Sequence, residues 1–288
     1  MTRLIAVLRE AARLPDATIQ PLLETVTGLH RSVGALVDAV GRVARQAAPL
    51  IAQVQDAIRT SPVGHADETG WREAGHNGDV WTFSTPDHRL FQHGRRTRAM
   101  VAQARGDVCA GIVVSDFYAA STNDDRVHQY WWAHLQRDIH ELTDQQPLDA
   151  SVQGWATAVQ AIVPWARAGA TGPPPGRRQI RQQVEAELRT LCRSWQEPKV
   201  PQTPLCNRML RSLESLFGFV TKPAVPATNN AAERSVRPLV VSRKISGGTR
   251  SARGTTMKMT LASRFGTWRA QGIYPSHACR EFLASPHI

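Results

Sequence analysis

The chain has 288 residues, a length that suits one large domain or two small ones, and a hydrophobic share of 42% is enough to build a core. Its 35 Lys and Arg outnumber 24 Asp and Glu, for a formal charge of +11. No run approaches the roughly 18 uncharged apolar residues of a membrane span, so an integral membrane protein is excluded and the cytoplasm is the expected compartment.

Four cysteines, Cys109, Cys192, Cys206 and Cys279, never stand at C-x-x-C spacing. Zinc ribbons and redox pairs are therefore excluded, and a reducing compartment fits. The N-terminal MTRLIAVLREAARL is not a signal peptide, because Arg9, Glu10 and Arg13 interrupt its apolar run.

Residues 1–60 read as a helical segment, with Val33, Leu36, Val37, Val40, Val43 and Ala44 at three- and four-residue steps. Ser32 is placed to cap that helix. A bundle helix packed on the main domain and a helix-turn-helix remnant are both compatible with the pattern. From Pro62 the pattern changes: 80–85 and 89–93 read as a strand hairpin around Thr85-Pro86-Asp87. A helix ending at Gly106 follows, then a buried strand at 111–116, a short strand at 126–131 and a helix at 131–142.

Residues 150–222 read as helices. A mobile loop is expected near 169–178, where the sequence is rich in Pro and Gly, and another loop around Pro198, Pro201 and Pro204. Asn229 and Asn230 can cap a helix carrying Glu233 and Arg237 four apart, and Pro238 is expected to end that turn. A final helix covers 255–272. The fold class is α/β, a mixed sheet core with a helical insertion and an N-terminal helical segment. Its parts are expected at 1–60, 61–149, 150–227 and 228–288.

Between Asn229 and Ala270 stand nine basic residues and one acid, Glu233. A local positive excess points to a polyanion, most often nucleic acid; a charge kept for solubility is the alternative. Three acids stand at marked places: Asp67, expected to end a short strand in HADETGW; Asp116, ending GIVVSD; and Glu233. Carboxylates at neighbouring strand ends, with a third on a crossing helix, make an oxygen-ligand site suited to Mg²⁺. Two such ions about 3.5–4 Å apart can flank a scissile phosphate.

Four blocks resemble a DDE transposase of the family named after insertion sequence sixty-six. They are HADETGW (65–71), VSDFYAA (114–120), AHLQRDIHEL (133–142) and TNNAAERSVRPLVVSRKISGGTRSARG (228–254). The resemblance implies an RNase H-like core with a helical insertion before the last acid. The 117 positions from Asp116 to Glu233 agree with that. It carries a catalytic, metal-binding triad onto Asp67, Asp116 and Glu233, with Mg²⁺ or Mn²⁺ as cofactor. It gives supporting roles to His134, Asn229, Asn230 and Arg237. It also implies DNA as partner, a nucleoid-associated cytoplasmic location, no membrane, and a homo-oligomer as one option. DNA-phosphate contacts are expected from Arg234, Arg237, Arg243, Lys244, Arg250 and Arg253. Two departures stand out. Trp131 replaces the family's Cys, and relatives carry a longer N-terminal part, often with a cysteine-rich, zinc-binding segment. A truncated, catalytically silent DNA-binding remnant is the alternative function.

Other signals are bland. His65 and Asp67 lack the partner spacing of a zinc site. His134 reads as a core-edge histidine or a phosphate contact. SGGTRSARG (246–254) lacks a P-loop ending and reads as a flexible basic loop on DNA or a connector. Trp81, Trp131 and Trp132 read as core.

Overall fold

A computed structural model describes residues 1–106, 111–116, 127–195, 197, 199–226 and 230–282. The chain is mixed α/β and divides into two compact units. One comprises Met1–Ala110 with Asn230–Ile288, the other Gly111–Asn229.

The first unit opens with helix α1 (Thr2–Ala6), a π-helical turn (Val7–Ala11), α2 (Asp16–Thr27) and α3 (Val33–Thr60). Ser32 caps α3, its hydroxyl accepting from the Ala35 amide at 3.2 Å. The apolar stripe expected on α3 buries Leu36, Val40 and Val43 beside Ile5, Ile19 and Leu23. The bundle reading of this helix therefore holds. Ile5 and Ala6 from the would-be signal segment lie in that same core.

Strand β1 (Val63–Glu73) pairs antiparallel with β2 (His76–Ser84), and β2 with β3 (Arg89–Gly94). The 80–85 and 89–93 hairpin is present and longer than expected. A second hairpin joins β1 to β2 through Ala74 (φ 49°) and Gly75 (φ 84°). Two left-handed residues in a two-residue loop match the right-handed twist of the strands. Asp67 accordingly does not end a short strand. It sits inside β1 opposite Thr82, because pairing with β2 continues to Glu73. Helix α4 (Arg98–Arg105) follows and stops at Gly106, φ 75°.

In the second unit β4 (Ile112–Ser115) and β5 (His128–Tyr130) pair in parallel, Ser115 opposite Tyr130. Helices α5 (Trp132–Gln145), α6 (Ala150–Gly169), α7 (Pro174–Arg193) and α8 (Thr203–Arg211) follow, then the short α9 (Leu213–Leu216) and α10 (Gly218–Thr221). The break between α6 and α7 covers only residues 170–173, shorter than the loop expected at 169–178. Pro174 is tolerated at the first helical turn, where its missing N–H has no intrahelical role. Gln129 ties β5 to α9 and α10, donating to Leu216 O at 3.0 Å and accepting from the Phe219 amide at 3.0 Å.

The chain re-enters the first unit with α11 (Asn230–Ser246), α12 (Ala252–Ala270) and α13 (Pro275–Phe282). Pro238 does not end the turn: α11 runs eight residues past it. Proline leaves the Arg234 carbonyl without its helical donor. Two anchors just past that defect hold the helix: Leu239, buried against Trp71, Val80, Phe91 and Met259, and Arg243, which donates to Gly70 O. Helix α11 packs on β1 and β2, and α12 on β3 and α3. Among the described residues no helix is long and apolar enough to cross a membrane.

Candidate DNA-processing site

The faces of the first unit's strands follow from register. Side chains alternate along a strand, so His65, Asp67, Thr69 and Trp71 share one face of β1. Pairing extends that face to Ser84, Thr82 and Val80 on β2, and to Arg89, Phe91 and His93 on β3. It is the face covered by α11 and α12, since Trp71 and Phe91 pack with Leu239 and Met259.

Polar groups are concentrated where α11 begins. His65, Thr82 and Ser84 are buried, Thr82 completely. The Thr82 Oγ1 and Ser84 Oγ atoms have no hydrogen-bond partner among the described residues. Asp67, half-buried and directly opposite Thr82, accepts from the Glu68 amide at 2.9 Å. Glu68 points to the other face, where Arg96 bridges it to Asp79 at 3.3 Å each.

Glu233 stands exposed in the first turn of α11. It forms no ion pair among the described residues. Asp116 follows the last residue of β4 and is half-buried. Burial, together with the Asp116 charge, pushes the Tyr130 phenol up to about 12. Asp67 and Glu233 thus belong to the first unit and Asp116 to the second. Among the described residues no group of three or more His, Cys, Asp or Glu is placed to hold a metal ion.

Of the expected DNA-contacting residues, Arg234, Arg237, Lys244, Arg250 and Arg253 are exposed. Arg243 is half-buried and donates to Thr69 Oγ1 at 3.1 Å as well as to Gly70 O. The 246–254 segment is pinned rather than loose. Its Thr249 amide donates to Arg72 O at 2.9 Å, Thr249 O accepts from the Ala74 amide at 2.8 Å, and Thr249 Oγ1 accepts from Trp71 Nε1 at 3.1 Å. Gly248 makes the approach feasible: at φ 117°, a Cβ there would lie 2.2 Å from Arg72 O.

Asn229 lies outside the described residues and Asn230 opens α11. The His134 ring stacks on Trp131, centroids 5.9 Å apart, as a core-edge residue does. Trp81, Trp131 and Trp132 are buried, as expected. Cys109 lies outside the described residues.

Sequence reasoning passed over Thr82 and Ser84. The signal was available: VWTFS places hydroxyls at period two on a strand whose other face is Trp81 and Phe83. It also passed over Arg13 and Arg89, which no motif marks. Cys192 and Cys206, fourteen positions apart, meet in a buried thiol pair, and only the packing of α7 against α8 brings them together.

A fold that sets an acid-bearing strand under a basic helix suits a protein that works on a polyanion. Comparison with known proteins gives the family: the chain matches the Transposase IS66 family over residues 2–257, and it belongs to that family. The chain is also similar to an uncharacterized protein, y4jO, of Sinorhizobium fredii (strain NBRC 101917 / NGR234), 24% identical over 147 residues. That match covers 51% of this chain and 44% of the relative.

Proposed function

We propose that the protein is a transposase that cleaves and joins DNA strands with a divalent cation, on an RNase H-like core, using Asp67, Asp116 and Glu233. The observation that carries this reading is the buried polar strip around Asp67. A folded chain does not ordinarily leave two buried hydroxyls without partners. Thr82 and Ser84 fit as hydrogen-bond partners for water held at the neighbouring carboxylate.

The donor set is carboxylate oxygen only, which fits Mg²⁺ or Mn²⁺ and not zinc. Asp67, Asp116 and Glu233 would hold the ion. Once bound, it supplies an activated water and charge neutralisation at the scissile phosphate. The chain's own part is to position and to neutralise. Arg237, Lys244, Arg250 and Arg253, exposed along α11 and the start of α12, would set the register of the backbone. Each phosphate contact removed would lower the salt slope of binding by about 0.9. A lone acid on this surface is consistent with the task, because further carboxylates would repel the substrate.

The deciding experiment is strand cleavage on a duplex carrying the element's own ends, with Mg²⁺ or Mn²⁺. Asp67→Asn is expected to abolish nicking while binding stays equal or tightens. Nicking that persists in this variant would refute the catalytic assignment. A second reading, a DNA-binding protein without catalysis, is favoured by the exposure of Arg234, Arg237, Lys244, Arg250 and Arg253, which phosphate binding alone would use. Its signature would be salt-dependent retention of DNA with no cleavage by the unaltered chain.

A further inference from the structure

A cavity of about 210 Å³ opens in the first unit between the π-helical turn, β3, α11 and α12. A single water needs about 10–15 Å³ on this measure, so the space takes a much larger group. Five cations line it against one carboxylate. Lys258 pairs with that carboxylate, Glu10, at 2.8 Å. This leaves Arg13, Arg89, Arg234 and Arg269 around the cavity with no ion-pair partner among the described residues.

Arg13 and Arg89 are half-buried, Arg269 is exposed but donates to Ala11 O at 3.0 Å, and Arg234 is exposed. Arg13 Nε is buried without a hydrogen-bond partner. Arg89 is half-buried, its guanidinium fanned across the carbonyls of Thr85, Pro86 and His88. Burial holds it below the usual arginine range, Asp87 opposes that, and the charge of Arg234 adds to it. Arg269 is lowered by burial and then by Arg13, with Glu10 opposing. Like charges have been gathered here, and an anion would relieve them. Most of the remaining lining is apolar, from Pro238, Leu239, Ala262 and Ala270 together with the buried Phe91 and Phe265. Gly266 lets α12 come this close to β3, since a Cβ would lie 3.1 Å from Arg89 Cβ.

We propose that this cavity receives one nucleotide, with its phosphate among the four arginines and its base against the apolar lining. The nucleotide is either free or an unpaired residue of a DNA strand. Position favours the strand. Phe91, Thr82 and Asp67 form one cross-strand row, so the cavity's edge at Phe91 stands about 9.5 Å from Asp67, two strand spacings away. A strand whose scissile phosphate lay at Asp67 would then have a neighbouring nucleotide at the cavity. The strand source rests on the DNA-processing reading; the nucleotide chemistry does not.

The test uses the full chain in chelator, without divalent cation, titrated calorimetrically with inorganic phosphate, deoxyadenosine, dAMP and a short single-stranded oligonucleotide. dAMP is expected to bind at least about tenfold more tightly than phosphate or deoxyadenosine. Arg234→Gln and Arg269→Gln, both exposed at the mouth, are each expected to weaken dAMP by about tenfold. In the unaltered chain, dAMP should shield Arg89 and Arg234 from phenylglyoxal, read by mass spectrometry, so the result does not depend on a variant folding. Mutual displacement of dAMP and the oligonucleotide assigns the site to a strand; dAMP binding that the oligonucleotide leaves untouched assigns it to free nucleotide. The proposal is overturned if dAMP shields neither arginine, or if both variants bind it like the unaltered chain. Nicking that depends on Asp67 while no arginine is shielded would sink the pocket alone. Shielding with nicking that ignores Asp67 would sink the catalytic assignment alone.

Discussion

Thr82→Val separates stability from function at the candidate site. Thr82 is completely buried in the middle strand of the first unit's hairpins, and its hydroxyl has no partner among the described residues. A buried hydroxyl left unpaired costs about 1–3 kcal/mol. Valine keeps the branched shape and replaces that hydroxyl with a methyl group. It also keeps the β-branched preference for a strand. The variant should therefore be more stable by about 1–2 kcal/mol. For a chain of this size that raises Tm by about 2–8 °C. Urea unfolding followed by circular dichroism measures the first number and calorimetry the second. If the hydroxyl is retained to hold water beside Asp67, cleavage should fall even as stability rises. A variant less stable by about 1 kcal/mol or more would refute the orphan-hydroxyl reasoning, because the group would then have a partner in solution. A gain in stability with undiminished cleavage would leave the orphan reasoning intact but remove Thr82 from the site.

Other perturbations probe the supports of that site. Gly248→Ala forces a side chain into φ 117° and against Arg72 O, and loosens the two backbone bonds that pin Thr249. A loss of about 2–4 kcal/mol is expected in urea unfolding, and a change under about 0.5 kcal/mol would contradict the pinned geometry. Glu10→Gln leaves the part-buried Lys258 ammonium without its carboxylate and should cost about 1.5–3 kcal/mol by the same measurement. Tyr130, raised to about 12 by burial and then by Asp116, favours its protonated form in the fold. Its stabilisation is complete below the unfolded value near 10 and is lost as pH rises through about 12. The unfolding free energy should therefore decline across pH 10–12, and Tyr130→Phe should flatten that decline; an unchanged slope would count against the burial of the phenol.

Much of this architecture was legible because the chemistry is local. Ser32 marks the start of α3, Gly106 stops α4, and Leu36, Val40, Val43 and Ala44 of the expected stripe define the face that α3 buries, while Val33 in its first turn is exposed. What was not legible depended on partners remote in the chain. The β1–β2 hairpin turns on Ala74-Gly75 rather than the Asn-Gly or Asp-Gly that announces such a loop, so β1 was read as short and Asp67 as its end. Pro238 was read as a stop, since proline breaks an isolated helix. Here burial of Leu239 and the hydrogen bonds of Arg243 to β1 outweigh one lost backbone bond. Loops rich in glycine read as flexible, yet Gly248 is there for close approach to Arg72.

The same distinction explains how the site could be half seen. Glu233 and the arginines of α11 stand in one motif and are visible in a single pass, whereas Asp67 and Asp116 are suggested by two other short motifs. The arginines of the cavity come from four places: Arg13 after the first helical turn, Arg89 at the start of β3, Arg234 on α11 and Arg269 at the end of α12. Each has ordinary neighbours in the chain. Only pairing of β2 with β3, and packing of α12 on β3, makes them one positive surface on the Asp67 side of the sheet. Arg89 is tied to three backbone carbonyls and Arg269 to Ala11 O, but none of the four has a carboxylate partner within ion-pair distance among the described residues, and their like charges repel. A ligand that carries negative charge is what would make such a cluster favourable. That requirement places the expected anion on the same sheet face as Asp67, so one strand of nucleic acid could satisfy both.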